Sequence, residues 1–141
     1  FRRYRPISAA SGPLPTLIYY HGGGFVIGNI ETHDSTCRRL ANKSRCQVIS
    51  IDYRLAPEHP FPCGVEDCYA VVLALSKLGK DYGIDGSRLA VWGDSAGGNM
   101  AAAVCLMARD RGEPLRGGTC GHGLWGNADR NSQRGQANRA Q

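Results

Sequence analysis

The sequence has no apolar stretch long enough to cross a bilayer, which takes about 18 to 20 consecutive apolar residues. Residues 1–6 are basic and aromatic, and the apolar core of a secretory signal does not follow them. We therefore expect neither a membrane span nor a secretory leader in this sequence.

A sustained excess of one charge sign is also missing. The formal net charge is +5, from 17 Lys and Arg against 12 Asp and Glu, but the excess lies in residues 1–5 and 112–141, and the charges of residues 6–111 sum to zero. Binding of single-stranded nucleic acid needs basic residues interleaved with stacking aromatics, and the basic tail offers only Trp125. We expect no nucleic-acid partner.

The six cysteines lack the two-residue spacing that is typical of zinc and redox sites. Several lie in apolar, periodic segments, where a free thiol behaves as a small buried hydrophobe. We expect reduced core thiols and, from them, a cytoplasmic protein. Cys120 and His122 are too few for a metal site, which usually needs three or four ligands, so we predict no metal.

Short β-favouring runs alternate with segments of helical periodicity. Strands are predicted at 14–20, 46–51 and 89–92, with a loop at 52–62 and a turn at 85–87. Helices are predicted after a cap at Thr32 or Asp34, over the apolar positions of 65–75, and at 96–109, where Gly112 ends the last one. This order indicates an α/β fold with a parallel, doubly wound sheet.

The last segment breaks this pattern. Residues 117–141 are rich in Gly, Asn, Gln and Arg and show neither strand nor helix periodicity. A parallel sheet requires a further strand soon after a helix that ends near Asp110, because the preceding strand is otherwise an open edge. We therefore predict one domain at 1–115, truncated after its last helix, and a tail at 116–141 that is disordered or foreign to the fold.

Residues 93–97, Gly-Asp-Ser-Ala-Gly, fit the GxSxG pattern of a nucleophilic serine on a sharp strand-to-helix turn. Glycines two positions before and after Ser95 leave room for such a turn. The helix that follows favours negative charge beside Ser95, and the N–H of Ala96 is placed to donate to an oxyanion. We predict that Ser95 is the nucleophile.

A second motif, His21-Gly22-Gly23-Gly24, follows the first predicted strand. A tetrahedral intermediate must approach the backbone closely, and side chains at Gly23 or Gly24 would obstruct the N–H groups that face it. We therefore predict an oxyanion hole formed by this loop and Ala96, and we interpret His21 as a residue that holds the loop.

Together with a third segment, these two motifs make the sequence similar to a known family. The three segments are 21–25 (HGGGF), 52–62 (DYRLAPEHPFP) and 93–99 (GDSAGGN), and the sequence resembles the hormone-sensitive-lipase-like family of α/β hydrolases from about residue 4 to residue 115. The resemblance implies a partial α/β-hydrolase fold, Ser95 as the acyl-accepting nucleophile, and an oxyanion hole of Gly23, Gly24 and Ala96 with Gly22 supporting the loop. It also implies that Glu58 and His59 lie at the surface or brace a loop.

The sequence departs from the family where the catalytic triad should be completed. Family members place an Asp and then a His well beyond the nucleophile. Here the only downstream histidine is His122, and the preceding acids Asp110 and Glu113 lie at a helix end. We do not assign His122 as the base, and His33 and His59 precede the nucleophile.

The sequence thus predicts the central part of a cofactor-free carboxylic ester hydrolase that forms an acyl-enzyme from a small-molecule ester. From residues 1–141 alone we expect little Ser95-dependent hydrolysis, because no base is recognised. The alternatives are a non-catalytic binding module on a hydrolase fold and the inactive product of a frameshifted gene. The genomic sequence beyond the codon of Leu115 would distinguish them, since an esterase needs a further strand, an Asp and a later His.

Overall fold

Helices and strands alternate along the part of the chain that the computed structural model describes, residues 1–9 and 11–113. In chain order the elements are β1 (Arg2–Tyr4), β2 (Leu14–Tyr20), α1 (Asp34–Ser44), β3 (Gln47–Ile51), α2 (Cys63–Leu78), a 3₁₀ turn (Gly79–Tyr82), β4 (Ile84–Gly93) and α3 (Ala96–Asp110). The predicted order of strands and helices is confirmed. None of the helices in these residues is both long and apolar enough to cross a bilayer.

The four strands form one sheet in the order β1-β3-β2-β4. β2 pairs in parallel with both β3 and β4, as predicted, whereas β1 pairs antiparallel with β3. β1 was not predicted, because a three-residue Arg-Arg-Tyr segment shows no strand periodicity. Its position depends on a distant partner: Tyr4 Oη donates to Asp34 Oδ1 at 2.8 Å, and Arg2 pairs with the same carboxylate at 3.0 Å.

Helices cover both faces of the sheet. Side chains of successive strand residues point to opposite faces, so Tyr19 packs with Cys37 of α1 while Ile18 and Tyr20 pack with α2 and α3. All three of these β2 side chains are fully buried. The doubly wound arrangement is therefore confirmed, and it requires the nearly continuous apolar strands that the sequence shows.

The start of α1 differs from the prediction. The N-cap residue is His33, and no side chain caps the helix. The Asp34 carboxylate instead accepts from Tyr4 and pairs with Arg2 and Arg38, while the Thr32 hydroxyl bonds to the Asn29 carbonyl oxygen at 2.9 Å. Both predicted caps are wrong because each side chain has another partner.

The predicted turn at 85–87 lies inside β4. Pairing passes from Leu14 opposite Ile84 to Thr16 opposite Leu89, so β4 carries extra residues at this point. These residues keep a turn-like contact, since the Ser87 N–H donates to Asp85 Oδ1 at 3.0 Å. Residues 85–87 have the composition of a turn, and in the structure they form an irregularity within the continuous strand β4.

Burial should decide the cost of truncating an isoleucine. Ile18 is 0% exposed in the centre of the sheet, whereas Ile7 is 94% exposed. We expect Ile18→Ala to lower the free energy of unfolding by about 2–5 kcal/mol and Ile7→Ala to change it by less than about 0.5 kcal/mol. Urea unfolding followed by circular dichroism measures both. Equal effects of the two substitutions would contradict the assigned core.

Candidate functional site

Ser95 occupies a strained turn between β4 and α3. Its backbone has φ 50° and ψ −117°, an unusual conformation for a residue with a side chain, and it is the N-cap of α3. The Gly97 N–H donates to the Asp94 carbonyl oxygen at 2.8 Å and closes the turn. The serine is exposed at the N-terminal end of a 15-residue helix, where the helix dipole favours negative charge.

Glycine is required on both sides of this turn because β2 lies directly against it. A Cβ at Gly97 would lie 1.9 Å from the Tyr20 carbonyl oxygen, and a Cβ at Gly93 would lie 2.4 Å from the same atom. No side chain fits at either distance. The steric purpose that the sequence indicated for these glycines is confirmed, and Tyr20 is the neighbour that imposes it.

The glycine loop, residues 21–28, begins where β2 ends. Gly23 has φ +129°, its carbonyl oxygen accepts from the Val26 and Ile27 N–H groups, and a Cβ there would lie 2.0 Å from the Ile27 carbonyl oxygen. Gly24 has φ +62° and open space around it. Gly23 is therefore required by packing inside the loop, whereas Gly24 is favoured only by its backbone conformation.

Gly22 joins this loop to the serine turn. Its N–H donates to Asp94 Oδ1 at 3.0 Å, and a Cβ at Gly22 would lie 2.3 Å from Asp94 Oδ2. The Gly22 N–H is thus already engaged. Within the described residues, the N–H groups of Gly23, Gly24 and Ala96 have no acceptor.

His21 is buried beneath the loop. Its Nδ1–H donates to the Gly22 carbonyl oxygen at 2.8 Å, and its ring stacks on Tyr53 with centroids 4.4 Å apart. Burial lowers the pKa of His21 below 6.5, although the Gly22 contact opposes the shift. A neutral, packed imidazole fits the loop-holding role that the sequence predicted.

The middle motif braces the same loop. Tyr53 Oη donates to the His21 carbonyl oxygen at 2.6 Å, and Arg54 holds Asp67 of α2 with two guanidinium contacts of 2.7 and 2.8 Å. Glu58 and His59 are exposed, as the resemblance implied. The residues after β3 therefore fix the position of the glycine loop.

The Asp94 carboxylate collects contacts from three elements. Oδ1 accepts from Tyr19 Oη at 2.5 Å as well as from Gly22, and His33 Nε2 lies 3.7 Å from Oδ2. Burial alone would raise the pKa of Asp94, but the hydrogen bonds from Tyr19 and Gly22 outweigh it and hold the pKa below 3.8. The carboxylate is therefore ionised at neutral pH.

The sequence pattern does not reveal this cluster. It predicts Tyr19 as an apolar strand residue, and it gives His33 no role because His33 precedes Ser95. The available signal was the alternation of β2, which places Tyr19 on the opposite face of the sheet from Ile18 and Tyr20. The neighbouring strand β4 ends one residue before Asp94.

The remaining candidates are the histidines, the cysteines and the tail. No described histidine is hydrogen-bonded to Ser95, and Cys120, His122 and the tail at 116–141 lie outside the described residues. The five described cysteines are free thiols. No group of three metal-ligating side chains occurs in residues 1–9 and 11–113.

A mainly apolar cavity of about 420 Å³ is bounded by the glycine loop, the middle motif and α3. Its lining includes Phe25, directly after the glycines, and Asn99 and Met100 of the first turns of α3. The middle motif contributes the apolar side chains of Ala56 and Phe61 and the polar ones of Arg54 and His59. The cavity is large enough for a small organic ligand.

Known proteins are similar in sequence to this chain over most of its length. A family model described as an alpha/beta hydrolase fold matches residues 17–140. The carboxylic ester hydrolase LipN of Mycobacterium tuberculosis is 50% identical over 78% of this chain and 29% of its own length. An arylesterase of Saccharolobus solfataricus is 47% identical over 77% of this chain and 35% of its own length.

Solved structures of ester hydrolases are similar to this chain as well. An ester hydrolase from the metagenome of Lake Arreo is 69% identical with a TM-score of 0.78, covering 80% of this chain and 36% of its own. A hyperthermophilic esterase of Pyrobaculum calidifontis is 54% identical with a TM-score of 0.75 over the same shares. The chain thus spans about a third of the length of these relatives. With its glycine loop and serine turn in place, it belongs to the hormone-sensitive-lipase-like family of α/β hydrolases.

Proposed function

We propose that this chain carries the nucleophile and the oxyanion donors of a carboxylic ester hydrolase that acts on small acyl esters. One observation carries the proposal: Ser95 is exposed on a strained turn at the N-terminus of α3, and a loop with two unengaged N–H groups is bonded to the residue before it. Strain at an exposed serine is typical of a nucleophile held ready for reaction.

In the proposed reaction Ser95 Oγ attacks the ester carbonyl carbon and gives its proton to a base. The carbonyl oxygen becomes an oxyanion, which the N–H groups of Gly23, Gly24 and Ala96 stabilise together with the dipole of α3. Collapse of the intermediate breaks the ester C–O bond, and the alcohol leaves with a proton. Water then hydrolyses the acyl-enzyme and restores the serine.

The base is the part of this scheme that the described residues do not supply. His33 bonds to Thr32 and faces Asp94, and the buried His21 ring is packed under the loop. Neither is available to Ser95. We therefore assign residues 1–113 the nucleophile and the oxyanion donors and assign no residue as the base.

Two further observations support an ester substrate. The cavity between the glycine loop, the middle motif and α3 is lined mainly by apolar side chains, which suits the hydrocarbon part of a small ester. The relatives carry the names carboxylic ester hydrolase, arylesterase and esterase, and the Lake Arreo ester hydrolase has been solved in complex with a bipyridine phosphonate derivative. The reaction class and a cofactor-free mechanism follow from this proposal.

Ser95→Ala should abolish ester hydrolysis. A suitable background is a chimera in which residues 1–113 replace the matching segment of the Lake Arreo ester hydrolase, since that protein supplies the remaining two thirds of the fold. We expect turnover of 4-nitrophenyl acetate to fall on the order of 10⁴-fold or more, with thermal unfolding unchanged. Near-normal turnover in the folded Ser95→Ala chimera would refute the assignment.

Gly23→Ala should act on the rate rather than on binding. The added Cβ would lie 2.0 Å from the Ile27 carbonyl oxygen, so the loop must shift and one donor is misplaced. We expect kcat in the same chimera to fall about 10²-fold to 10³-fold with little change in KM.

Gly12→Ala is the matched control. Gly12 also has positive φ, +103°, but nothing lies near its added Cβ. It should leave kcat unchanged. A Gly23→Ala effect confined to KM, or an equal loss in Gly12→Ala, would contradict the oxyanion role.

A further inference from the structure

Asp94 lies between Gly93 and the proposed nucleophile, yet its side chain contacts the opposite half of the site. The carboxylate reaches a glycine 72 residues away in sequence, where Oδ1 accepts from the Gly22 N–H at 3.0 Å. The same oxygen accepts from Tyr19 Oη at 2.5 Å. One side chain therefore connects the serine turn, the glycine loop and the end of β2.

We propose that Asp94 is a positioning residue that fixes the glycine loop to the serine turn through the Gly22 N–H, so that the Gly23 and Gly24 N–H groups face the carbonyl that Ser95 attacks. The inference rests on the proposed function for its catalytic consequence. The contact itself can be tested without any activity.

Packing supports a close and specific contact. A Cβ at Gly22 would lie 2.3 Å from Asp94 Oδ2 and 3.0 Å from the Asp94 carbonyl oxygen. The first glycine of the loop is therefore required by its close contact with Asp94. The loop can lie this close to the turn only while position 22 has no side chain.

Electrostatics support it as well. His33 Nε2 lies 3.7 Å from Oδ2, and the hydrogen bonds that Asp94 accepts keep it ionised. Burial, followed by the Asp94 contact, raises the pKa of Tyr19 far above its ordinary value of 10, so its hydroxyl remains a donor. Hydrogen bonds to an ionised acceptor are roughly twice as strong as neutral ones. Asp94 thus holds the loop more firmly than a neutral side chain would.

The catalytic consequence follows from the short path between anchor and donors. Gly23 directly follows the anchored residue. In the described structure the backbone of residues 22–24 has one other side-chain hydrogen bond, from His21 to the Gly22 carbonyl oxygen, and only Asp94 binds this segment to the serine turn. A displacement of about 1 Å in a catalytic group can cost on the order of 10²-fold in rate. Release of Gly22 is therefore expected to lower kcat through Gly23 and Gly24.

The contact is tested by amide hydrogen exchange in the full 141-residue chain labelled with ¹⁵N-glycine. We expect the Gly22 amide to exchange at least about tenfold faster in Asp94→Ala than in the wild type. Asp94→Asn retains an oxygen acceptor and should restore part of the protection. Asp110→Ala removes an exposed aspartate that is paired with Arg109 on α3 and should leave Gly22 unchanged.

The outcomes are distinct even if Asp94→Ala does not fold. Exchange at Gly22 in the folded Asp94→Asn protein must then be faster than in the wild type, by less than about tenfold. Exchange at the wild-type rate in Asp94→Asn would overturn the anchoring role. Equal Gly22 exchange in wild type and a folded Asp94→Ala would also overturn it.

The catalytic consequence is measured in the chimera. We expect kcat to fall about 10-fold to 10²-fold in Asp94→Ala with KM little changed, and to recover partly in Asp94→Asn. Ser95→Ala in the same background separates the two ideas: if it abolishes turnover while Asp94→Ala does not lower kcat, the positioning role fails and the proposed function stands. If Ser95→Ala keeps its turnover, the proposed function fails, and the exchange result still decides the contact.

Discussion

The geometry of the site depends on how closely the end of β2 approaches the turn between β4 and α3. The Tyr20 carbonyl oxygen occupies the space that a Cβ at Gly93 or Gly97 would need. This approach forces two glycines and bends the backbone at Ser95 into an uncommon conformation. It also places the glycine loop, which continues from β2, directly against the turn. The pairing of β2 with β4 thus determines the geometry of the serine turn and the position of the glycine loop.

The parts of the fold that repeat along the chain were accessible from sequence. β2 and β3 are short apolar runs, and α2 buries Val65, Cys68 and Val72 at helical spacing, so periodicity located them. The serine turn and the glycine loop could be predicted equally well, because both need glycine at fixed positions for steric reasons and those positions are visible in the local sequence.

Features that depend on distant partners were not accessible. β1 is a strand because it pairs with β3 and because Tyr4 donates a hydrogen bond to Asp34. The start of α1 has no side-chain cap because the Asp34 carboxylate makes this contact instead. The roles of Tyr19 and His33 arise only when β2, β4 and the start of α1 meet at Asp94. The alternation of β2 gives the face on which Tyr19 lies but not its partner, so the sequence pattern assigns Tyr19 to the core and His33 to a loop.

The packing of His21 makes the glycine loop sensitive to acid. Its Nε2 is buried with no partner among the described residues, and its ring lies between Tyr53 and His33. Protonation would bury a positive charge there, and the folded-state pKa is accordingly below the ordinary value of 6.5. The unfolded chain therefore binds this proton more readily, and the stability that His21 contributes declines as pH falls below about 6.5. An acidic environment would therefore destabilise the fold through the residue that holds the glycine loop.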